Sequence, residues 1–237
     1  MSIVHLPSAA HCRLWRVDLD TAPPPEAAAS LSEEEWERAR RFVFARDRHR
    51  YVAAHAALRG VLSSQTGIPG AFLDFSIGAF GKPALVEPAG VRFNLSHSQS
   101  VALIAIGDDT DIGVDLEVLR SMPDAQTLAQ TYFTNAERQA LDALAPAERD
   151  RAFLTCWTRK EACLKATGMG LSVDTRSFEV GIAGDAREVH IAGDDSVVRL
   201  ALSSFDGGTG IVCAVARVLS CEVAAPRPRL QESELYA

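Results

Sequence analysis

Hydrophobic and polar positions in the first hundred residues predict strands and helices in mixed order. Residues 12–19 alternate apolar and polar side chains, which is typical of a half-buried strand, and the prolines after it end the pattern. Ser32-Glu33-Glu34-Glu35 matches a capping box, so a helix is predicted to begin there. The further elements predicted here are a helix over 47–64 that ends near Gly67, a strand over 72–77, a turn over 78–83, and a hairpin over 91–106.

The second half of the chain repeats this mixture. A strand is predicted over 112–118, and Thr134-Asn135-Ala136-Glu137 is a second capping box. A longer helix is predicted over 146–167, because Pro146 suits a first turn and Gly168 suits the position after the last turn. Strands return after residue 177, and residues 224–237 are predicted to form a loose tail.

An internal similarity connects the two halves. Residues 91–106 resemble residues 198–216 in their order of apolar and polar positions. Two similar α/β halves would explain this, although two apolar hairpins can also look alike by accident. The resulting prediction is an α+β fold of two similar halves, each a small sheet with packed helices, over 1–111 and 112–223.

Composition restricts the class of protein. The hydrophobic content of 47% and charged content of 23% are typical of soluble globular proteins. No apolar run reaches the ~18 residues of a membrane span, and no signal-peptide pattern opens the chain, so a cytoplasmic location is expected. The five cysteines form no Cys-x-x-Cys pair, which favours reduced thiols over a disulfide framework or a zinc site. The net charge of −7 argues against nucleic-acid binding.

Basic residues are distributed unevenly. Six arginines lie between Arg38 and Arg50 with Asp47 as the one acid among them, which fits either a solvated helix face or a docking patch for a small polyanion. Three of the 24 lysines and arginines are lysines, namely Lys82, Lys160 and Lys165. Because an ammonium can give up a proton and a guanidinium does not, these positions favour phosphate and proton chemistry, unless their placement is accidental.

Acidic residues supply a candidate metal site. Asp115 and Glu117 are two apart on a predicted strand and therefore share one face. Two adjacent carboxylates repel each other unless a cation lies between them, and oxygen ligands favour Mg²⁺, Mn²⁺ or Ca²⁺. On the predicted long helix, Glu161 and Lys165 continue an aromatic stripe and could supply a third metal oxygen and a phosphate contact. The alternatives are a solvated strand edge and a surface ion pair.

Two turns complete the candidate residues. His97 lies in a predicted serine-rich turn, where it is either structural or suited to an anion, and Gly81-Lys82-Pro83 offers a point charge beside open backbone. No Walker loop, His-Glu-x-x-His motif or Gly-x-Gly-x-x-Gly motif is present in the sequence.

Four motifs in this order and spacing resemble the Sfp-type 4′-phosphopantetheinyl transferases. They are Gly81-Lys82-Pro83, Phe93-Asn94-Leu95-Ser96-His97-Ser98, Ile112-Gly113-Val114-Asp115-Leu116-Glu117 and Trp157-Thr158-Arg159-Lys160-Glu161-Ala162-Cys163-Leu164-Lys165. The resemblance implies that family's fold, with two halves related by a pseudo-two-fold axis. It also implies transfer of phosphopantetheine from coenzyme A to a serine of an apo carrier protein, with release of 3′,5′-ADP.

The resemblance further implies roles for individual residues. Positions matching Asp115, Glu117 and Glu161 hold Mg²⁺, with Mn²⁺ as an alternative. The positions implied to contact coenzyme A are Arg50, Lys82, Pro83, Ser96, His97 and Lys165, with Arg38 as a less close match. Glu161 is the candidate base, directly or through a metal-bound water, and Lys165 would stabilise or protonate the departing ADP.

The expected partners are coenzyme A and a carrier protein, with no nucleic acid or membrane, and the expected state is a monomer. Two other functions remain open from sequence. A Mg²⁺-dependent phosphohydrolase would share the three carboxylates and would release phosphate from coenzyme A without a carrier. An inactive carrier-binding paralogue would be expected to carry a broken core motif.

Overall fold

Runs of strands and runs of helices follow one another along the part of the chain that the computed structural model describes, residues 1–87, 90–193 and 196–223. The strands are β1 (Ile3–Ala9), β2 (Cys12–Asp18), β3 (Phe75–Ile77), β4 (Pro83–Leu85), β5 (Val91–Ser98), β6 (Val101–Asp108), β7 (Ile112–Val118), β8 (Arg187–Ala192), β9 (Ser196–Asp206) and β10 (Ile211–Val223). The helices are α1 (Pro25–Ala28), α2 (Glu33–Arg40), α3 (Ala45–Thr66), α4 (Ala125–Tyr132), α5 (Asn135–Asp142) and α6 (Pro146–Thr167). The predicted tail over 224–237 lies outside the described residues.

Two four-stranded antiparallel sheets share a three-stranded topology, β2-β6-β5 in the first and β7-β10-β9 in the second, and differ in the edge at which the fourth strand pairs. Their strand orders are β1-β2-β6-β5 and β7-β10-β9-β8, and β3 and β4 form a separate pair. In each case a strand (β2 or β7) is followed by a helix of 22 residues (α3 or α6) and then by a hairpin whose second strand pairs with the first strand. The α+β class is confirmed, and the two similar hairpins of the sequence occupy equivalent places. The division of the chain at residue 111 stays a prediction.

Helix boundaries follow local sequence signals closely. Both predicted capping boxes are present, with Ser32 and Thr134 each accepting a hydrogen bond from the backbone of the glutamate three residues later. Helix α6 has the predicted bounds, and Gly168 ends it in the left-handed conformation at φ 67°. The structure begins and ends α3 two residues beyond the predicted helix, and replaces the first part of the predicted strand over 72–77 with a single turn of 3₁₀ helix, Gly70–Phe72.

The segment Ser96-His97-Ser98 lies within strand β5, so its assignment to a turn was wrong. The tight turn falls one residue later, where Gln99 adopts a φ of 52°. Serine is favoured in turns because its hydroxyl bonds to nearby backbone, but here the hydroxyls of Ser96 and Ser98 bond to side chains of another strand. The serines of this strand, whose hydroxyls bind carboxylates of another strand, resemble in sequence the serines of a turn.

Three apolar clusters hold the layers together. Helix α3 packs on the first sheet through residues such as Leu58 and Ile104, and α6 packs on the second sheet through residues such as Leu164 and Leu200. A third cluster joins the two sheets and consists of Leu6, Cys12, Leu14, Leu103, Ala105, Ile112, Val114, Leu116, Cys213 and Val215. This shared core fixes the second sheet against the first, so side chains from the two sheets can form one site.

Candidate active site

Strands β5 and β7 are joined by polar side chains. The Asn94 side-chain oxygen accepts the backbone N–H of Val114 at 2.8 Å. Two residues further along β5, the Ser96 hydroxyl donates to Asp115 at 2.7 Å, and after two more the Ser98 hydroxyl donates to Glu117 at 2.7 Å. Because side chains alternate along a strand, β5 presents a polar row to β7, and the first sheet thereby anchors the carboxylates of the second.

Helix α6 reaches this strand pair because Gly113 has no side chain. A Cβ at Gly113 would collide with the backbone oxygen of Ala162 and the backbone nitrogen of Ala166. The close approach places the Glu161 and Lys165 side of α6 against the strand face that carries Asp115 and Glu117, while Val114 and Leu116 enter the core between the sheets. Asp115 and Glu117 therefore share one face of β7, as their spacing predicts.

Asp115 is buried, with 6% of its surface exposed, and lies at the centre of the site. Its Oδ1 accepts hydrogen bonds from Lys165 Nζ at 2.6 Å and from the Ser96 hydroxyl at 2.7 Å. Lys165 Nζ also donates to Ser96 at 3.0 Å. Burial raises the pKa of Asp115, and the neighbouring charge of Lys165 acts in the opposite direction.

The other two carboxylates have different surroundings. Glu117 Oε2 accepts from Ser98 and from Arg120 NH1, each at 2.7 Å. Within the described ranges Glu161 accepts no hydrogen bond, and its pKa is raised by burial and further by the charges of Asp115 and Glu117. The charge of Glu117 acts to raise the pKa of both Asp115 and Glu161, and a divalent cation is favourable beside carboxylates arranged in this way.

The donor set fits a cation, but the side chains are paired with protein groups. Among the residues that the structure describes, no three His, Cys, Asp or Glu side chains are grouped closely enough to hold a metal ion. The Lys165 ammonium contacts Asp115, and Arg120 contacts Glu117, so cationic groups of the protein occupy part of the carboxylate surface. A cation that used Asp115 Oδ1 would displace Lys165 from that oxygen.

A cavity of about 320 Å³ adjoins the carboxylates. Its lining includes Lys82, Pro83, Glu161 and Lys165, which the sequence had assigned to the site. Lys82 Nζ donates to the Ala166 carbonyl at 2.9 Å and lies 3.2 Å from Asp111 Oδ1. Burial lowers the pKa of Lys82, while Asp111 opposes the shift. The contact with Ala166 attaches the Lys82 loop to the last turn of α6.

A second cavity, of about 540 Å³, contains Arg50 and His97. Arg50 makes a two-pronged ion pair with Asp20, at 2.7 and 3.1 Å. The pKa of His97 is lowered by burial and by the charge of Lys165, so its ring favours the neutral form. Arg38 is exposed and lies 5.8 Å above the Tyr51 ring, which also lines this cavity. The structure therefore brings the predicted residues into two adjoining groups connected through β5.

Several residues at the site were not predicted as site residues. Ser98 and Arg120 bind Glu117, and Arg46 and Tyr51 line the second cavity. Ser98 had an available signal, because it continues the spacing of two residues begun by Asn94 and Ser96. Nothing in the local sequence distinguishes Arg46 from the other arginines of the run.

Lys160, although it precedes Glu161 in the motif, is not at the site. Its Nζ forms an ion pair with Glu137 at 2.9 Å and donates to the carbonyls of Thr175 and Phe178 at 2.8 and 2.9 Å. With 1% of its surface exposed, Lys160 is a buried structural group. The interpretation of its segment as phosphate and proton chemistry thus fits Lys165 and does not fit Lys160.

Comparison with known proteins places both halves in one family. Residues 111–216 match the 4′-phosphopantetheinyl transferase superfamily, and residues 24–108 match the N-terminal region of 4′-phosphopantetheinyl transferases. The chain is 39% identical over 164 residues to the 4′-phosphopantetheinyl transferase HetI of Nostoc sp. PCC 7120, covering 67% of this chain and 69% of that protein. It is 30% identical over 185 residues to 4′-phosphopantetheinyl transferase Sfp of Bacillus subtilis 168, covering 78% of this chain and 81% of that protein.

The chain belongs to the 4′-phosphopantetheinyl transferase superfamily and is an enzyme of the phosphopantetheinyl-transferring class. The family predicted from the four motifs is confirmed. In the described ranges, no helix combines the length and apolar character needed to cross a membrane.

Proposed function

We propose that this protein transfers 4′-phosphopantetheine from coenzyme A to a serine hydroxyl of an apo acyl or peptidyl carrier protein and releases 3′,5′-ADP. The observation that carries the proposal is the contact of Lys165 with Asp115 beside the half-buried Glu161, at a cavity also lined by Lys82. The site thus combines carboxylates with two ammonium groups, and the chain that carries it belongs to the phosphopantetheinyl transferases. We also propose that the enzyme acts as a cytoplasmic monomer.

Coenzyme A binding is assigned to the two adjoining cavities. Arg50 and His97 in the larger cavity would receive the 3′-phosphate, with His97 contributing a hydrogen bond and no charge because its lowered pKa favours the neutral ring. Lys82, with Pro83 beside it, and Lys165 in the smaller cavity would receive the pyrophosphate. Ser96 lies between these groups on β5 and already contacts Lys165. Scattered cations of this kind can hold a polyanion on a protein whose net charge is −7.

Asp115, Glu117 and Glu161 are proposed to hold Mg²⁺, with Mn²⁺ as an alternative. When bound, the cation would neutralise charge that develops on the pyrophosphate oxygens. Lys165 would then leave Asp115 and turn toward the pyrophosphate, which places its ammonium on the leaving group. The raised pKa of Asp115 is consistent with this exchange, since burial makes its carboxylate charge costly without a closer counter-ion.

Proton transfer is assigned to Glu161 and Lys165. The carrier serine loses its proton to Glu161 as its oxygen bonds to the phosphorus that carries pantetheine. The oxygen of Glu161 that the cation leaves free would accept this proton. The bond from that phosphorus to the bridging oxygen breaks, and Lys165 supplies charge or a proton to the phosphate of the departing 3′,5′-ADP.

One incubation tests the proposal. The protein is mixed with coenzyme A, Mg²⁺ and an apo carrier protein, and intact mass spectrometry is expected to show one added phosphopantetheine group. A carrier with its acceptor serine changed to alanine is the matched control, and Asp115→Asn, which keeps a side-chain oxygen for Ser96, is expected to abolish transfer. Absence of added mass with several carriers contradicts the proposal, and phosphate release from coenzyme A without a carrier would favour a phosphohydrolase.

A further inference from the structure

Both donors that hold Glu117 bind the same carboxylate oxygen. The Ser98 hydroxyl and Arg120 NH1 each lie 2.7 Å from Glu117 Oε2. Glu117 Oε1 accepts no hydrogen bond within the described part of the chain. The carboxylate is therefore held on one side and left available on the other.

The proton of the Ser98 hydroxyl has a defined direction. Ser98 Oγ accepts the backbone N–H of Val118 at 3.4 Å, so the hydroxyl is already an acceptor on that side. A hydroxyl has one proton, and the carboxylate oxygen at 2.7 Å has none to give, so Ser98 donates to Glu117. A bond from a neutral donor to a charged acceptor of this length is among the stronger hydrogen bonds in proteins.

Ser98 and Ser96 form a matched pair. They are two residues apart on β5, as Asp115 and Glu117 are on β7, and each serine donates to one carboxylate. Each bond crosses from the first sheet to the second, so the orientation of both acidic side chains depends on a strand of the other sheet. Arg120, by contrast, belongs to the same chain segment as Glu117 and has a side chain that is 42% exposed.

We propose that Ser98 is a positioning residue for the enzyme: its hydroxyl fixes Glu117 Oε2 and so presents Oε1 to a divalent cation shared with Asp115 and Glu161. This inference rests on the proposed function, because it takes these three carboxylates as the metal ligands. Groups that orient a metal ligand in this way commonly change metal affinity by about 10–100-fold when they are removed.

Direct measurement of Mn²⁺ binding tests the inference without an activity assay. Free Mn²⁺ is titrated by electron paramagnetic resonance against the wild-type protein, Ser98→Ala, Ser98→Thr, Glu117→Gln and the double variant Ser98→Ala/Glu117→Gln, each with coenzyme A present. Ser64→Ala is the matched control, since its hydroxyl donates to the Val61 carbonyl within α3, away from the carboxylates.

We expect Ser98→Ala to weaken Mn²⁺ binding about 10-fold and Ser98→Thr, which keeps the hydroxyl, to remain within about threefold of wild type. The double variant is expected to bind as Glu117→Gln does, because a residue that acts through Glu117 has nothing left to position. Ser64→Ala is expected to match wild type. Thermal melts of each protein verify that the variants are folded, and Ser98→Cys, a poorer donor of similar size, replaces Ser98→Ala if the latter is unfolded.

Three outcomes overturn the inference. Wild-type affinity in Ser98→Ala, with weakened binding in Glu117→Gln, removes Ser98 while leaving the metal site in place. Independent, additive losses in the double variant show that Ser98 acts elsewhere than on Glu117. Wild-type affinity in Glu117→Gln excludes Glu117 as a ligand, and the separate mass-spectrometric transfer assay then shows whether the proposed function itself survives.

Discussion

Three lysines of one chain occupy three different environments. Lys160 is buried against Glu137 and two backbone carbonyls, whereas Lys165 contacts Asp115 at the carboxylate site. Lys82 lies in a cavity wall and binds the Ala166 carbonyl. Each has its ammonium within hydrogen-bonding distance of two or more oxygens, a geometry that suits a compact ammonium better than a planar guanidinium. The three lysines are therefore not explained by one common role, since Lys160 is structural and the other two line the smaller cavity.

Lys165→Arg separates charge from proton chemistry at the site. We expect kcat to fall by about 100-fold or more, while coenzyme A affinity changes only a few-fold, because guanidinium keeps the charge but does not release a proton. Steady-state kinetics and titration calorimetry measure the two quantities. Arg176→Lys, at an exposed ion pair with Asp174, is the control. Full turnover in Lys165→Arg would make the contact with Asp115 purely structural.

The Glu137–Lys160 pair predicts how stability depends on pH. Burial opposes ionisation of Glu137, but Lys160 and the N–H of Val180 outweigh it and hold its pKa below the usual 4.5. A carboxylate with a depressed pKa stabilises the fold above its unfolded-state value, and that contribution is lost as the pH falls below about 4.5 and through the folded-state value.

Glu137→Gln is therefore expected to lower the free energy of unfolding at pH 7 by about 3–5 kcal/mol, since it leaves Lys160 buried without a counter-charge. The difference from wild type should shrink on acidification. Urea unfolding between neutral and acidic pH measures it, with the exposed Glu26→Gln as control. A difference that stays constant with pH would show that the lost interaction is not ionic.

At the scale of elements, local signals predicted boundaries well where the cause is local. The capping boxes at Ser32 and Thr134 and the glycine after α6 act within one helical turn, so the sequence contains all the information needed. Strand β1 was missed because it is an edge strand that contains Pro7 and has an irregular register between Leu6 and Ala9. Its pairing is decided by β2 and not by its own pattern.

The absence of a side chain at Gly113 allows α6 to pack closely on β7. Because a Cβ there would meet the backbone of Ala162 and Ala166, and backbone cannot turn aside as a side chain can, Gly113→Ala is expected to destabilise the protein by at least about 1–3 kcal/mol. It should also weaken Mn²⁺ binding by displacing Glu161.

Gly60→Ala is the matched control, since Gly60 is inside helix α3 and a Cβ added there would meet nothing within 4 Å beyond the backbone of its own helix. That change is expected to stabilise the fold by about 0.5–1 kcal/mol. Thermal melts of both variants test the argument, and equal stability of Gly113→Ala and wild type would mean that α6 can shift without cost.

At the scale of the whole molecule, the sequence predicted a set of candidate residues that the structure brings into two groups, but it did not predict the contacts between them. Family resemblance supplied the carboxylates and cations, and local spacing placed Asp115 and Glu117 on one face. The contact of Lys165 with Asp115 joins residues 50 apart in sequence, and that of Lys82 with Ala166 joins residues 84 apart. Such pairings depend on the core between the sheets and on Gly113, which no local pattern encodes. Ser98 differs, because its spacing from Asn94 and Ser96 is a local signal, while its contact with Glu117 on another strand is not.

Coenzyme A binding provides a prediction that involves the first half of the chain as well as the second. Arg50 lines the larger cavity and is held there by Asp20, so Arg50→Ala is expected to weaken coenzyme A binding by about 1.5–3 kcal/mol, the range for a hydrogen bond to a charged group. His97→Ala should weaken it in the same direction. The loss in Arg50→Ala should shrink at high salt, because the charge of the guanidinium is screened, whereas the loss in His97→Ala should change little, because the lowered pKa of His97 favours the neutral ring.

Asp20→Asn separates a phosphate role of Arg50 from a purely structural one. Since Asp20 competes with any bound phosphate for the Arg50 guanidinium, this variant is expected to bind coenzyme A more tightly than wild type. If the ion pair instead serves only to hold the fold of the cavity, the variant should bind coenzyme A more weakly or fail to bind it. Titration calorimetry at two ionic strengths, with the exposed Arg48→Ala as control, measures the effect. Unchanged affinity in Arg50→Ala and His97→Ala together would place the 3′-phosphate outside this cavity, and the first half would then contribute to the site only through β5 and the Lys82 loop.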